Sequence, residues 1–377
     1  MPKKYKVKRY SSIYNRSKKR RSLAFQIIMS IVVFVAIALI VYLISIGVNS
    51  YINRESYTEL DSSILSAPSD TNNIADDKYQ NTSEKIMASE MSASSIENNS
   101  YITEFIKKSK DEGKNAVVVP LKTKSGSILY STNVQKAKSW EAIADYIIDA
   151  LDLAKKIKDA GLVPIAKVSA FYDQTAPHAK RENSYYQGSQ KTTTHLFKNS
   201  VTKKAERWLN PYKEASRKYI CDIVAELGNF GYSYVLLDDV AFPDVEFDSS
   251  VGTDANGKSK SEILKTFVKE LDDIGVPTII SYDWSAIGGG KSSDIIYGGD
   301  ISTYGIKNQA PIIDISKPPT SLSEKNEIIK SAIDYIRNKN SDVFIVPKIP
   351  LSSTSKESII SELKSLQIYS NIIFADN

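Results

Sequence analysis

Cysteine and histidine are scarce in this chain of 377 residues, which contains one cysteine and two histidines. The single cysteine, Cys221, excludes an intramolecular disulfide, and its place in a helical pattern indicates a small, buried apolar residue. So few Cys and His side chains cannot make a Cys/His zinc site. We therefore predict no metal and no other cofactor.

Two common catalytic motifs are also absent. The sequence has no Gly-x-Ser-x-Gly turn, which a Ser-His-Asp hydrolase with a nucleophile elbow would need. No Gly-x-Gly-x-x-Gly turn follows an apolar run, and residues 285–292 (SAIGGGKS) lack the first glycine of a phosphate-binding loop. Carboxylates are the remaining candidates for catalysis.

Positive charge is concentrated at the N-terminus. Ten Lys and Arg residues and no acidic residue occur in residues 1–21, so that the net charge of +5 becomes −5 for the remainder of the chain. The body of the protein therefore has no broad positive surface of the kind that binds nucleic acid, and we predict no nucleic-acid partner.

A long uncharged stretch follows the basic residues. Residues 22–53 contain no charged side chain, and residues 23–48 are almost wholly apolar. A helix needs about 20 apolar residues to span a bilayer, whereas the core of a signal peptide has about 7–15 and precedes a small-residue cleavage site. We therefore predict an uncleaved transmembrane helix at residues 23–48. The alternative, a basic nucleic-acid arm beside a buried helix, would leave that helix without a polar face.

The basic tail sets the predicted orientation of this helix. Residues 1–22 precede it, so the positive-inside rule places the N-terminus in the cytoplasm and the rest of the chain outside, with the lipid bilayer as a partner. Residues 49–84 are rich in Ser, Asn, Asp and Thr without a sustained period, which indicates a flexible linker. We predict a single-pass protein of the cell membrane.

Residues 85–377 alternate short apolar runs with amphipathic segments. Such alternation is typical of a parallel sheet covered by helices, and eight strands over this length predict an α/β fold of the (β/α)8 barrel type. An open doubly wound sheet is the alternative. The predicted strands lie at 86–91, 116–121, 163–171, 234–237, 277–282, 311–315, 343–349 and 371–375.

Helix signals separate these strands. Ser139 is expected to cap a helix that carries Trp140, Ile143, Ile147 and Leu151 on one face. Asn210-Pro211 resembles an N-cap followed by a proline at the first helical position. Ser259 and Glu262 form a capping-box pattern at the start of another helix.

Two predicted strands end in carboxylates. Asp238 and Asp239 follow the apolar run at 234–237, and Asp283 follows the next run. The C-terminal ends of parallel strands are where barrels build their sites. Adjacent residues point to opposite sides of a strand, so only one of Asp238 and Asp239 is expected to reach a substrate. The alternative is that these carboxylates cap helices or turns.

Other side chains near strand ends are candidates for substrate binding. Lys167 interrupts an apolar strand and must reach water or an anion, and Asp173 follows the end of the same run. The segment between Asp173 and Arg207 is too long for a simple connection and predicts a binding loop or lid. The aromatic candidates for stacking on sugar rings are Tyr172, Trp208, Tyr212, Tyr282 and Trp284. Asp314 and Asp376 end later strands.

Four segments resemble a bacterial family of glycoside-hydrolase-like (β/α)8 domains, distantly similar to the alpha-amylase barrels. They are residues 164–173, Trp208-Leu-Asn-Pro-Tyr212, Leu237-Asp-Asp-Val-Ala-Phe-Pro243 and residues 281–284. The resemblance covers residues 85–377 and implies a polysaccharide or other glycan as partner. It also implies that Asp238 is the nucleophile and Asp283 the acid/base. We predict that Asp239, beside Asp238, contributes to substrate binding.

The chain departs from the family pattern at several positions. Asp239 stands where the family has Tyr, Ala241 where it has Arg, and Pro120 where it has Asp. Loss of the arginine removes a positive charge that would keep the nearby carboxylate ionised. Two functions therefore stay open: a membrane-anchored glycosidase acting on an envelope or extracellular polysaccharide, and a catalytically inactive barrel that binds glycan or holds an envelope complex. A signalling protein that uses its basic tail on lipid or nucleic acid is a weaker third alternative.

Overall fold

The computed structural model describes residues 85–179, 183–187, 194–199, 202–247, 251–313, 322–350, 356–365 and 371–375. The predicted cytoplasmic tail, transmembrane helix and linker at residues 1–84 lie outside these ranges, and so do Asp314 and Asp376. Among the helices that are described, none combines the length and the apolar character needed to cross a membrane.

Eight parallel strands close into a barrel, as predicted. The last strand pairs with the first at Met87↔Ile372, and the first pairs with the second at Ala88↔Ala116, which completes the ring. The strands are β1 (Met87–Glu90), β2 (Ala116–Lys122), β3 (Val163–Ser169), β4 (Tyr234–Asp238), β5 (Thr278–Asp283), β6 (Asn308–Ile312), β7 (in two pieces, Phe344–Ile345 and Lys348–Pro350) and β8 (Ile372–Ala375).

Helices follow seven of the strands in the described part of the chain. They are α1 (Asn99–Asp111), α2 (Ala150–Asp159), α3 (Glu214–Asn229), α4 (Lys260–Asp272), α5 (Lys291–Ile296), α6 (Leu322–Lys339) and α7 (Lys356–Ser365). The capping box at Ser259 and Glu262 is present at the start of α4. Helix α3 begins later than Asn210-Pro211, because the Asn210 side chain instead accepts a hydrogen bond from the Tyr212 amide.

The predicted helix start at Ser139 is wrong, and only the later part of that segment is helical, as α2 (Ala150–Asp159). A short helix, Gln135–Ser139, ends at Ser139, and Glu141 adopts a φ of 54° that breaks the helical path. A strand follows at Ile143–Ile148 and pairs with a second added strand, Ile128–Tyr130. Ile143 and Ile147 are four residues apart, which is the spacing of a buried helical face. In the structure both lie in this strand at the edge of the sheet, and Ile147 is 48% exposed.

The barrel interior is apolar up to the last residues of its strands. One buried cluster contains inward-facing residues from all eight strands or from positions directly beside a strand. Its members are Ile86, Ala88, Ala116, Val118, Ile165, Leu236, Ile279, Ala310, Phe344, Val346 and Ile373. Side chains alternate across a strand. The residues two positions after Ala88, Ile165, Leu236, Ile279 and Val346 therefore also face inward, and all five are polar.

Candidate active site

Polar side chains fill the barrel at the C-terminal ends of its strands, above the apolar interior. Five of them form the lower layer, which consists of Glu90 (β1), Lys167 (β3), Asp238 (β4), Ser281 (β5) and Lys348 (β7). The upper layer lies nearer the C-terminal ends of the strands. It consists of Ser169 (β3), Asp239 (directly after β4) and Asp283 (β5). Five of the eight barrel strands contribute to the two layers.

Asp238 is the centre of the lower layer. Its side chain is 8% exposed, and its Oδ1 and Oδ2 lie 2.8 and 2.7 Å from the Lys348 Nζ. The Ser281 hydroxyl donates to Oδ1, and the Lys167 Nζ lies 3.4 Å from Oδ2. Burial alone would raise the pKa of this carboxyl, but the ammonium groups of Lys348 and Lys167 outweigh it and hold the pKa well below its usual range. Asp238 is therefore an ionised carboxylate.

Glu90 lies on the other side of Lys167 within the same layer. The Lys167 ammonium donates to its Oε1. Burial raises the pKa of Glu90, although Lys167 and Lys348 both oppose that shift. Its Oε2 is buried and has no hydrogen-bond partner among the residues that the structure describes. The layer thus presents one buried oxygen with unused hydrogen-bonding capacity.

Asp239 also faces the inside of the barrel, which corrects the expectation that adjacent aspartates diverge. Its φ of 57° lies in the left-handed region and turns the chain directly after β4. The inward Ser169 hydroxyl donates to its Oδ2 at 2.7 Å, and the Lys124 Nζ lies 3.7 Å from its Oδ1. Side chains alternate between the two sides of a strand only where the backbone is extended. The left-handed backbone of Asp239 therefore allows its side chain to point to the same side as that of Asp238.

Asp283 projects from the end of β5 and is exposed. Its Oδ1 accepts a hydrogen bond from the Ser285 amide at 2.8 Å, which caps the short 3-10 helix Trp284–Ala286. It follows Ser281 by two residues, so it stands about 6–7 Å further along the strand than the level of Asp238. The buried Tyr297 hydroxyl lies within electrostatic reach of both Asp283 and Asp239.

Asp173 has a structural position rather than an open one. Its carboxylate is fully buried, with Oδ2 2.8 Å from the Nζ of the equally buried Lys122. Its Oδ1 accepts from the Thr175 and Ala176 amides, both at 2.9 Å, and so caps the short helix Ala176–Ala179. A glycan at the mouth would not reach the Asp173 carboxylate without rearrangement. Lys167, by contrast, belongs to the lower layer and contacts Glu90 and Asp238.

The aromatic candidates are spread over different surroundings. Trp208 and Tyr172 meet edge to face, with ring centroids 4.8 Å apart, and both are partly exposed. The Tyr212 ring packs on Phe242. Tyr282 points away from the barrel interior, is buried, and donates its hydroxyl to the Gln309 side chain. Trp284 packs against the buried cluster around Ile313.

Three members of the lower layer, Glu90, Ser281 and Lys348, were missed by the sequence prediction, and two of them are charged. Lys348 interrupts the apolar run at 343–349, which is the signal that identified Lys167, and Glu90 ends the run at 86–91 in the same way. A charged residue inside an apolar strand requires a partner. Applying that rule to every strand would have found both. Within the described residues, no group of His, Cys, Asp and Glu side chains is arranged to hold a metal ion.

A family model described as "Putative glycosyl hydrolase domain" matches residues 89–281, more than half of the chain. The chain belongs to this family. The match begins in β1 and ends at Ser281, so it includes four of the five lower-layer residues and leaves out Lys348. No curated protein sequence matches the chain.

Several solved structures are similar to the chain at low sequence identity. The glycoside hydrolase domain of PgaB (BpsB) from Bordetella bronchiseptica is 13% identical over 77% of this chain and 93% of that one, with a TM-score of 0.53. An alpha-galactosidase from Thermus thermophilus in complex with stachyose is 9% identical over 78% and 62%, with a TM-score of 0.51. A hypothetical protein from Ruminiclostridium thermocellum ATCC 27405 is 19% identical over 51% and 95%, with a TM-score of 0.44. The first two similarities concern the fold alone.

Proposed function

We propose that this protein is a glycoside hydrolase that cleaves glycosidic bonds of an envelope or extracellular polysaccharide with aspartate carboxylates at the ends of β4 and β5. The observation that carries the proposal is the Asp238 carboxylate, which the Lys348 and Lys167 ammonium groups contact at the C-terminal end of a barrel that belongs to a glycosyl hydrolase family. Glycosidases pass through an oxocarbenium-like transition state, which a fixed negative charge stabilises. Enzymes of this barrel fold build their sites at that end.

The positive charge expected from the family pattern comes from a different strand. Ala241 replaces the arginine of the family, but the Lys348 Nζ contacts both oxygens of Asp238 from β7. Lys348 therefore supplies the charge whose loss argued against catalysis. This arrangement supports an active enzyme despite the substitution at position 241.

Asp283 is the proposed general acid. It stands on the strand next to that of Asp238, is exposed at the mouth, and its Oδ1 accepts the hydrogen bond of the Ser285 amide. A general acid must reach the leaving-group oxygen and exchange protons with water, and an exposed carboxylate can do both. The resemblance to the family implies that Asp238 is the nucleophile. However, Lys348 and Ser281 already engage both its oxygens, so we assign Asp238 the stabilising charge.

Hydrolysis by the full-length chain in mild detergent tests this function. Release of new reducing ends would be measured on a panel of bacterial envelope and extracellular polysaccharides. We expect Asp238→Asn and Asp283→Asn each to lower turnover by about 10²-fold or more, while the surface variant Asp159→Asn stays at the wild-type rate. Full activity of Asp238→Asn would remove that residue from the mechanism, and a wild-type chain that cleaves nothing in the panel would end the proposal.

A catalytically inactive glycan-binding barrel is the second candidate. It is favoured by the same contacts that occupy both oxygens of Asp238, together with the capping bond of Asp283. Such a protein would bind a polysaccharide in a glycan array, retain it unchanged after long incubation, and keep its affinity in Asp283→Asn. A shortened glycan would exclude this candidate.

We also propose that the barrel is held at the outer face of the cell membrane by a helix at residues 23–48. The support is the charge-free stretch and the basic residues before it. Protease added to intact spheroplasts should digest residues 85–377 and spare the N-terminal tail. Digestion only after lysis would place the barrel in the cytoplasm and overturn this topology.

A further inference from the structure

Two consecutive aspartates at the end of β4 both face the barrel interior. Asp238 does so through ordinary strand alternation and contacts Lys348, which also points inward. Asp239 does so because of its left-handed backbone and contacts the inward Ser169. Both aspartates contact residues of β3 that point inward: Asp238 contacts Lys167, and Asp239 contacts Ser169. The two carboxylates therefore occupy successive levels of one cavity.

The two levels differ in how far a substrate can reach them. The Asp238 side chain is 8% exposed and has cations or a hydroxyl on both oxygens, whereas the Asp239 side chain is 19% exposed. Ser169 orients Oδ2 of Asp239, and the nearest cation, Lys124, stands 3.7 Å from Oδ1 on a largely exposed side chain. Asp239 is thus both oriented and accessible, which a reacting carboxylate requires.

The conformation of Asp239 is held against its local preference. Left-handed backbone is unfavourable for a residue with a Cβ atom, and glycine or asparagine accepts it more readily. Here the ladder between β3 and β4 continues beyond the strand ends, with the Ala170 amide donating to the Asp238 carbonyl at 2.8 Å and the Phe171 amide to the Asp239 carbonyl at 3.2 Å. Backbone strain that the surrounding structure enforces is often found where a side chain has a chemical role.

Asp283 stands on β5, which flanks β4 on the side away from β3. The Asp239 carboxylate leans toward β3, where Ser169 donates to it, and Asp283 extends from β5. Strand β4 lies between those two strands in the ring, so β3 and β5 are two spacings apart, about 9–10 Å. Carboxyl groups separated by about 6.5–9.5 Å leave room for a water molecule and invert the anomeric carbon, whereas pairs about 5–5.5 Å apart retain its configuration.

We propose that Asp239 is a catalytic residue, the general base of an inverting pair in which Asp283 is the acid. This assignment rests on the proposed glycosidase function and adds the group that activates water. Asp239 takes a proton from a water molecule whose oxygen forms a bond to the anomeric carbon. The bond from that carbon to the leaving oxygen breaks, and Asp283 gives its proton to the leaving oxygen. Exchange with solvent restores both carboxyl groups, and Asp238 remains anionic beneath the sugar.

The variant Asp239→Asn isolates this role. An asparagine can accept the Ser169 hydrogen bond and tolerates left-handed backbone, so only the charge and the basicity are lost. On a substrate that the wild-type full-length chain cleaves, we expect kcat to fall by about 10²-fold or more without a loss of thermal stability. Asp239→Gly should behave similarly, and azide should restore its turnover of an aryl glycoside and yield a glycosyl azide.

The product configuration provides an independent readout. Proton NMR of the first sugar released by the wild-type chain should show the inverted anomer. A retained anomer, or an Asp239→Asn chain with more than about a tenth of the wild-type kcat, overturns the assignment while leaving the glycosidase function in place. Lowered thermal stability of Asp239→Asn would also overturn it, by showing that the residue is structural. A wild-type chain without any hydrolysis is the separate failure of the proposed function.

Discussion

The lower and upper layers of the barrel mouth lie on neighbouring positions of the same strands but differ in how their carboxylates are buried and held. In the lower layer, Asp238 is buried and engaged on both oxygens, with Lys348 and Lys167 neutralising it and Glu90. In the upper layer, Asp239 and Asp283 are more accessible, and each is held by one hydrogen bond. The two buried lysines keep Asp238 charged against the effect of burial but leave it unavailable to a substrate, whereas a partly exposed carboxylate can exchange protons with water. This difference matches the roles that we propose: Asp238 supplies a fixed negative charge, and Asp239 and Asp283 transfer protons.

Breaking the lower layer should have the largest effect. Lys348→Met removes the ammonium that contacts both oxygens of Asp238 and leaves a buried carboxylate poorly compensated. We expect a loss of about 3–5 kcal/mol in the free energy of unfolding, measured by urea denaturation. Lys348→Arg should recover part of it, because it restores the charge.

The matched control is Lys155→Met, which breaks an exposed ion pair with Asp159 on helix α2 and should leave the unfolding midpoint unchanged. Equal small effects of the two methionine variants would show that the lower layer is not an electrostatic unit.

The acid dependence of stability should sharpen the comparison next. The native pKa of Asp238 lies below its unfolded value of about 3.9, so the native state binds fewer protons and stability rises with pH in that window. The contribution of the carboxylate is therefore complete above about pH 4–5 and is lost as the pH falls toward the native pKa.

The measurement is the difference in unfolding free energy between the wild type and Asp238→Asn from about pH 2 to about pH 7. We expect a constant difference at neutral pH that begins to shrink below about pH 4–5 and continues to shrink as the pH falls. In the Lys348→Met background the loss should be smaller and should end at a higher pH, since the native pKa of Asp238 then lies closer to its unfolded value. A difference that grows toward low pH would contradict an ionised Asp238.

The upper layer should show the smallest effect on stability. Asp239→Gly relieves a left-handed residue with a φ of 57° but gives up the Ser169 hydrogen bond and adds freedom to the unfolded chain. These effects nearly offset each other, so we expect a change within about 1 kcal/mol in either direction by thermal denaturation. A loss of several kcal/mol, comparable with that of Lys348→Met, would mean that both layers are structural.

Much of the fold was predictable because its signals are local. Each barrel strand is a short apolar run, and the capping box at Ser259 and Glu262 lies within four consecutive residues. The exception is the region after Ser139. There, Ile143, Ile147 and Leu151 have helical spacing, but an added strand occupies Ile143–Ile148, and Leu151 lies in the following helix α2 on its exposed face (52% exposed). A short periodic run on a partly exposed edge fits either structure, and tertiary pairing decides between them.

The candidate site was predictable only in part. Asp238, Asp283 and Lys167 were found because they interrupt or end apolar strands, and they lie on strands that are neighbours in the ring. Their catalytic and binding roles stay predictions. Asp173 and Tyr282 met the same criteria, but the structure buries them in an ion pair and a hydrogen bond away from the mouth. A residue at a strand end is a candidate for function and equally for capping.

From its own residues the sequence determined that eight apolar strands would deliver carboxylates to one end of a barrel, since period, burial and strand ends are properties of local segments. Only the tertiary structure decided which charges meet. Lys348 reaches Asp238 from 110 positions away because closing the ring brings β7 across from β4. Only the folded backbone decided that Asp239 turns inward, because neighbouring strand ends hold it in a conformation that its own residue type disfavours.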